Sequence, residues 1–201
     1  MEEPDDLEQP IANIVGSRVA LGPLRRAVLP AYTRWLNDFA VARTLDRVPG
    51  PATAEDQAAW FTRVSTDTEV VRFTVYERAN WRPIGITNLH LIEFRHGTAE
   101  FGLMIGEAGA RGQGFGTEAT HLMLDYAFTA LGLHNVMLRV YAYNLAGLHA
   151  YHQAGFREFG RCRERQVFAG RRWDEVHMEC LASEFTSPVL GRVFVPDEPR
   201  R

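Results

Sequence analysis

The sequence is poor in several features, and each shortage argues against a class of protein. It has two cysteines, Cys162 and Cys180. They form no CxxC motif and no framework of bridges, so a reduced, cytoplasmic setting is expected. Both fall in strand-like segments near one another, and a bridge between them is the one pairing open. No run of 18 apolar residues occurs, so no membrane span is expected. Residues 1–9 are acidic where a secretory leader would be basic. Lys and Arg number 22 against 25 Asp and Glu, a formal net charge of −3. No basic stripe is present, so a nucleic-acid partner is not expected. Arg161, Arg163 and Arg165, and then Arg171 and Arg172, are interleaved with acids and read as solvated strand faces. The histidines show no metal-ligand spacing, so no metal is expected. Internal repeats and low-complexity segments are missing too.

What the sequence does have is concentrated in Arg111-Gly112-Gln113-Gly114-Phe115-Gly116-Thr117. This stretch follows an apolar, strand-like run at 101–105. It opens a helix-like run at 117–131, with Ala119, Leu122, Met123, Tyr126, Ala127 and Ala130 as the apolar set. A strand, a glycine-rich turn and a helix in that order present free backbone N–H groups and the positive end of the helix dipole. Glycine allows close approach or a positive φ. The expected ligand is a phosphate or pyrophosphate. A Walker A loop would need a lysine before Thr117, and none is there. A dinucleotide fingerprint would need glycine where Thr117 stands, and it belongs in a first βαβ unit rather than mid-chain. The plain alternative is a turn that only caps a helix.

At 201 residues the chain suits one core and one domain. Residues 1–16 are expected to form a disordered acidic tail, 17–185 the domain, and 186–201 a C-terminal tail without assigned structure. Within the domain, 17–24 reads as a strand. Residues 29–39 read as a helix with Leu29, Tyr32, Trp35, Leu36 and Phe39 on one face. Thr53 is placed to cap a helix over 54–64, with Asp56 at its third position. Strands follow over 70–76, 83–94 and 98–105, then the helix from Thr117 to near Gly132. Next come a strand over 136–143, a short helix over 146–154 stopped by Gly155, and a hairpin of 156–168 with 173–181 about Ala169-Gly170. The fold class is therefore mixed α/β of the α+β kind, a mostly antiparallel sheet with helices against it.

Four blocks in this order resemble the GNAT superfamily, in particular its RimJ/RimL branch of N-acetyltransferases. The segment from Tyr32 to Asp38 resembles the branch's early helix ending in Trp-Leu-Asn-Asp. Ile84-Gly85 and then Ala99 to Gly106 resemble its central hairpin. Arg111, Gly114 and Gly116 fit its pyrophosphate loop, Arg/Gln-x-x-Gly-x-Gly/Ala, and the likeness runs on to Phe128. Asn144 to Tyr151, with Gly155-Phe156, resembles its Asn-x-x-Ser-x-x-x-Tyr…Gly-Phe element. The resemblance spans about 17–185 and implies a central twisted sheet splayed at an acyl-CoA site. It implies that backbone at Met104 and Ile105 pairs with the pantetheine arm. Arg111, Gly112, Gln113, Gly114, Phe115, Gly116 and Thr117 would hold the pyrophosphate, Asn144 would bond the pantetheine, and Tyr151 would be general acid to the leaving thiolate. Gly147 stands where the pattern often has Ser, and His149 and His152 are no part of it. Trp35, Phe39 and Trp60 fall where the branch builds its acceptor wall, though as plain residues they suit a helix core.

The implied activity is acetyl transfer from acetyl-CoA to a primary amine, a protein N-terminus or a small molecule, in a ternary complex. The amine must be held and deprotonated, the carbonyl polarised and the thiolate protonated. Glu100 is the candidate base, because alternation sets it on the face of Gly102 and Met104. His90, His149, His152 and His177 are weaker candidates. The alternative function is a GNAT-fold module that binds acyl-CoA as a sensor or partner without turnover. Fold does not name the acceptor. A homodimer through the C-terminal hairpin or tail remains open.

Overall fold

The computed structural model describes residues 9–197. The first eight residues of the expected acidic tail, and residues 198–201, lie outside that range. One eight-stranded sheet runs through the protein: β1 (Ile14–Val15), β2 (Val19–Gly22), β3 (Val71–Glu77), β4 (Arg82–Glu93), β5 (Thr98–Ile105), β6 (Asn135–Tyr141), β7 (Arg157–Phe168) and β8 (Arg171–Leu181). Their order in space is β1-β2-β3-β4-β5-β6-β8-β7. Every neighbouring pair is antiparallel except β5–β6. A parallel pair needs a crossover, and α4 (Phe115–Asp125) supplies it. The remaining helices are α1 (Leu29–Leu36), α2 (Phe39–Ala42), α3 (Ala54–Val64) and α5 (Leu145–Gln153). Cys162 and Cys180 are both free thiols, and no helix of the described residues is long and apolar enough to cross a membrane.

The sheet separates two cores because successive strand residues face opposite ways. On one face, Leu89, Phe101, Leu138, Phe156, Val176 and Met178 pack with Phe115, Ala119, Leu122 and Met123 of α4. On the other, Val28, Tyr32, Trp35, Val41 and Met104 form a smaller cluster with Leu36, Trp60 and Ile86.

The elements depart from the sequence expectation where side-chain hydrogen bonds override periodicity. The helix expected over 29–39 stops at Leu36. The Asn37 amide donates to the Thr33 and Ala52 carbonyls and accepts from the Ala52 N–H. Asp38 then caps a new helix, accepting from the Ala40 N–H at 2.8 Å. Thr53 caps α3 as expected, in a reciprocal box with Asp56. The helix expected from Thr117 begins two residues earlier, at Phe115, and past Asp125 it widens into a π-helical turn, Tyr126–Ala130.

The N-terminal expectation is corrected at 14–15, and the C-terminal segment gains a place among the described residues. Residues 14–15 are not disordered: they pair with β2 as the sheet's edge, and Ile14 is buried. The C-terminal segment packs as well. The buried Asp125 carboxylate accepts from Thr129 Oγ1 (2.8 Å), Ser187 Oγ (2.5 Å), Val189 N (2.9 Å) and Leu190 N (2.8 Å), which seats Leu190 in the core.

Candidate active site

The site begins with a short ladder. β5 and β6 pair through only three residues, Thr98↔Asn135, Ala99↔Val136 and Glu100↔Met137. Beyond them β5 stays with β4, through Met104↔Ile86 and Ile105↔Gly85, while β6 stays with β8, through Val140↔Val176 and Tyr141↔Glu175. Each strand is held by its outer neighbour, so the two part and leave a notch. The backbone edge of 101–105 facing β6, which includes Met104 and Ile105, is free of strand pairing. A cavity of ≈ 590 Å³ enters this notch. Tyr32, Leu36, Trp60 and Ile86 wall it on the α1–α3 side, and Asn144 and Tyr151 of the α5 region line its far end.

The expected anion loop lies beside the notch. Gly112 and Gly114 take φ of 73° and 82°, the left-handed region that glycine enters at little cost. The first backbone bond of α4 runs from Glu118 N to Gly114 O at 3.1 Å. The N–H groups of Phe115, Gly116 and Thr117 therefore precede the helical ladder. The side chains of the loop do other work. The Arg111 guanidinium donates to Asp38 Oδ2 (2.7 Å), Gly106 O (2.6 Å) and Ile105 O (3.3 Å). It ties the loop to the end of β5 and the start of α2. The Gln113 side chain donates to the Gly109 carbonyl. The Phe115 ring is buried beneath the Arg18 guanidinium, 4.4 Å from the ring centre. Arg18 also donates to Gln113 O at 2.9 Å. This arginine was not foreseen, and a position almost a hundred residues upstream carries no local signal for it. A second cavity, of ≈ 640 Å³, adjoins the helix start and is lined by Gly114, Thr117, His121, His149 and Gln153 among others.

Asn144 caps α5, its Oδ1 accepting from Gly147 N at 3.1 Å. At Gly147 an added Cβ would stand 2.6 Å from the Asn144 amide nitrogen, so a side chain there would require that amide to shift. Tyr151 sits edge-on to Phe101 and Phe156, with ring centres 6.0 and 6.1 Å away. Burial pushes its phenol up to about 12, further above the neutral range in which a phenol is protonated in any case. Glu100 faces the cavity as alternation required, but it is not free. It accepts from Arg139 Nε at 2.9 Å and lies 3.5 Å from His90 Nε2. The His90 hydrogen bond, then Arg139, hold its carboxyl below the usual range, which weakens it as the expected base.

The expected acceptor wall is only partly in place. Trp60 lines the cavity; Trp35 and Phe39 do not. Trp35 is 2 % exposed, packed where a Cβ on Gly106 would collide with its ring. Phe39 is 65 % exposed, turned outward by the break at Asn37. Tyr32 and Leu36 supply the wall instead. The segment 43–47 closes over the cavity, drawn down by Tyr143 OH to Arg43 O (2.6 Å) and Tyr141 OH to Asp46 Oδ1 (3.2 Å). Asp46, Arg139, Tyr141 and Glu175 were all missed as lining residues, since each depends on strand pairing or loop placement. No three metal-ligating side chains gather among the described residues.

Comparisons with known proteins agree with this geometry. The family model described as acetyltransferase (GNAT) domain matches residues 18–157. The chain is 36 % identical over 114 residues to spermidine N(1)-acetyltransferase of Vibrio cholerae, across 57 % of this chain and 65 % of that enzyme. It is 26 % identical to human alpha/beta-tubulin-N-acetyltransferase 9, across 85 % of this chain and 84 % of the relative. The crystal structure of spermidine N-acetyltransferase from Vibrio cholerae in complex with CoA and spermine superposes with a TM-score of 0.76 at 28 % identity, covering 84 % of this chain and 98 % of that one. With the splayed sheet and the glycine-rich helix start already in place, these matches show that the chain belongs to the GNAT acetyltransferase family and is an acetyl-CoA-dependent N-acetyltransferase.

Proposed function

We propose that the acceptor is a primary amine on a largely apolar body, a peptide N-terminus or a small monoamine, rather than a polycation. The carrying observation is the charge balance of the cavity. Its lining holds three carboxylates, Asp46, Glu100 and Glu175, and three guanidinium groups, those of Arg47, Arg72 and Arg139. Spermidine brings several positive charges, and a site selective for it needs a surplus of carboxylates. Here the opposing wall is aromatic and aliphatic, which rewards an apolar body by area removed from water. The resemblance of the four sequence blocks to the RimJ/RimL branch fits this reading. That branch serves chemically different amines on one fold, so the cavity must select among them.

In this reading the acetyl thioester lies in the notch between β5 and β6, with the acceptor entering from the α1–α3 side. The free backbone edge of 101–105 and the Asn144 amide hold the pantetheine. The N–H groups of Phe115, Gly116 and Thr117 hold the pyrophosphate. Tyr151 delivers the proton to the departing sulfur. The test is CoA release from acetyl-CoA with 2-phenylethylamine, an unblocked tetrapeptide and spermidine as acceptors. The chain has no lysine, so no lysine amine of its own competes. The monoamine or the peptide should exceed spermidine in kcat/KM by at least about tenfold, a difference of roughly 1.4 kcal/mol in transition-state binding. A preference for spermidine would reverse the assignment.

A further inference from the structure

Of the three cavity carboxylates, two share one cation. Arg139 lies 2.9 Å from Glu100 and 3.6 Å from Asp46. Glu175 is outside that arrangement. It sits on β8 opposite Tyr141 of β6, at the wide end of the notch, and is 5 % exposed while lining the cavity. Alternation sends Val176 and Met178 into the core and leaves Glu175 and His177 on the acceptor face, beside Tyr141 and Arg139. Its one ion-pair contact among the described residues is His177 Nε2 at 3.3 Å. The titratable groups around it are Tyr141 and Arg139 from β6, His177 on its own strand, Cys162 in register on β7, and Asp46 from the segment above. Glu175 is buried, faces the cavity and has no guanidinium within ion-pair distance among the described residues, because Arg139 beside it makes its ion pairs with Glu100 and Asp46. His177 is partly exposed and connects it to solvent.

We propose that Glu175 is the general base of the acetyl transfer and that His177 passes its proton to water. This deepens the acceptor reading above and rests on it. The acceptor arrives as an ammonium with three protons on nitrogen. Glu175 takes the first and hands it through His177 to solvent. The freed lone pair attacks the thioester carbon, the C–N bond forms, and the C–S bond breaks with its electron pair going to sulfur. Tyr151 protonates that sulfur and is restored by the second proton leaving nitrogen. The third stays on the amide. One proton reaches bulk water and one ends on CoA, as the overall reaction requires. Glu175 is thereby a catalytic residue and His177 a positioning and relay residue.

The test measures kcat and KM from pH 6 to 10 for the wild-type chain, E175Q, E175D and H177N, with 2-phenylethylamine, the unblocked tetrapeptide and spermidine as probes. Thermal shift with acetyl-CoA is recorded for each. E175Q should lose about 10²–10³-fold in kcat/KM at neutral pH, with acetyl-CoA binding unchanged. Its rate should climb as the amine itself deprotonates at alkaline pH. E175D should recover part of the loss. H177N should lower kcat with little change in KM, and less severely than E175Q. An E175Q profile superimposable on the wild type would overturn the role of Glu175, as would a loss equal at every pH and not relieved by E175D. A wild-type chain that binds acetyl-CoA but acetylates none of the three probes would overturn the acceptor reading, and the proposal with it.

Discussion

In the proposed role of acid, Tyr151 relies on a phenol that is protonated at neutral pH by its own chemistry. The rings of Phe101 and Phe156 pack edge-on against it, and desolvation raises its phenol further above the neutral range. Tyr151→Phe keeps the ring and removes the proton. It should lower kcat by about 10²–10⁴-fold, while the thermal shift given by acetyl-CoA stays at its wild-type size. A loss of both would mean that the hydroxyl serves binding. The same scale shows what a sequence motif conveys. Asn144 and Tyr151 were legible because the short helix they belong to has a recognisable pattern. Glu100 was placed on the right face by simple alternation, yet the partners that hold it, His90 and Arg139, come from two other strands. No spacing within β5 announces them.

The start of α4 behaves as one element with the loop before it. Gly114 is its N-cap at φ 82°, and a Cβ there would stand 3.7 Å from Arg18 Nη1, so space is not the constraint. Two substitutions separate the two reasons for a glycine. Gly114→Ala carries only the left-handed backbone cost, about 1 kcal/mol, and should keep most of the acetyl-CoA thermal shift. Gly114→Asp adds a carboxylate facing the bound pyrophosphate, and that shift should vanish. Equal losses in both variants would show that backbone strain alone empties the site. The loop's glycines and the following helix were readable in the sequence. The commitment of Arg111 to Asp38 was not, because it depends on the helix break at Asn37 bringing Asp38 to the end of β5.

At the scale of the whole molecule, Asp125 fastens the last segment to the domain. Four donors converge on a carboxylate with no exposed surface. Asp125→Ala would strand two backbone N–H groups and two hydroxyls. It should cost on the order of 3 kcal/mol, since hydrogen bonds to a charged group are worth more than neutral ones and orphaned donors add their own penalty. Chemical denaturation would measure this, and limited proteolysis should now cut within 186–192. An unchanged midpoint would mean that water replaces the carboxylate. The C-terminal segment carried no periodicity to read, because a single buried acid rather than an amphipathic face holds it.

The sequence alone determined neither β1 nor the break between α1 and α2, but it did determine the order of the strands from β2 to β8, the glycine-rich turn that opens α4 and the end of the short helix that bears Tyr151. Each of these is set by neighbours along the chain: alternation, capping residues and the backbone freedom of glycine. Tertiary structure decided the rest. It set the three-residue ladder between β5 and β6 that opens the notch, the substitution of Tyr32 and Leu36 for Trp35 and Phe39 in the wall, and the sharing of Arg139 between two acids. It also isolated Glu175. Those features arise from which strand lies beside which, and from where a helix stops when a distant carbonyl takes its capping amide. Periodicity within one segment contains neither.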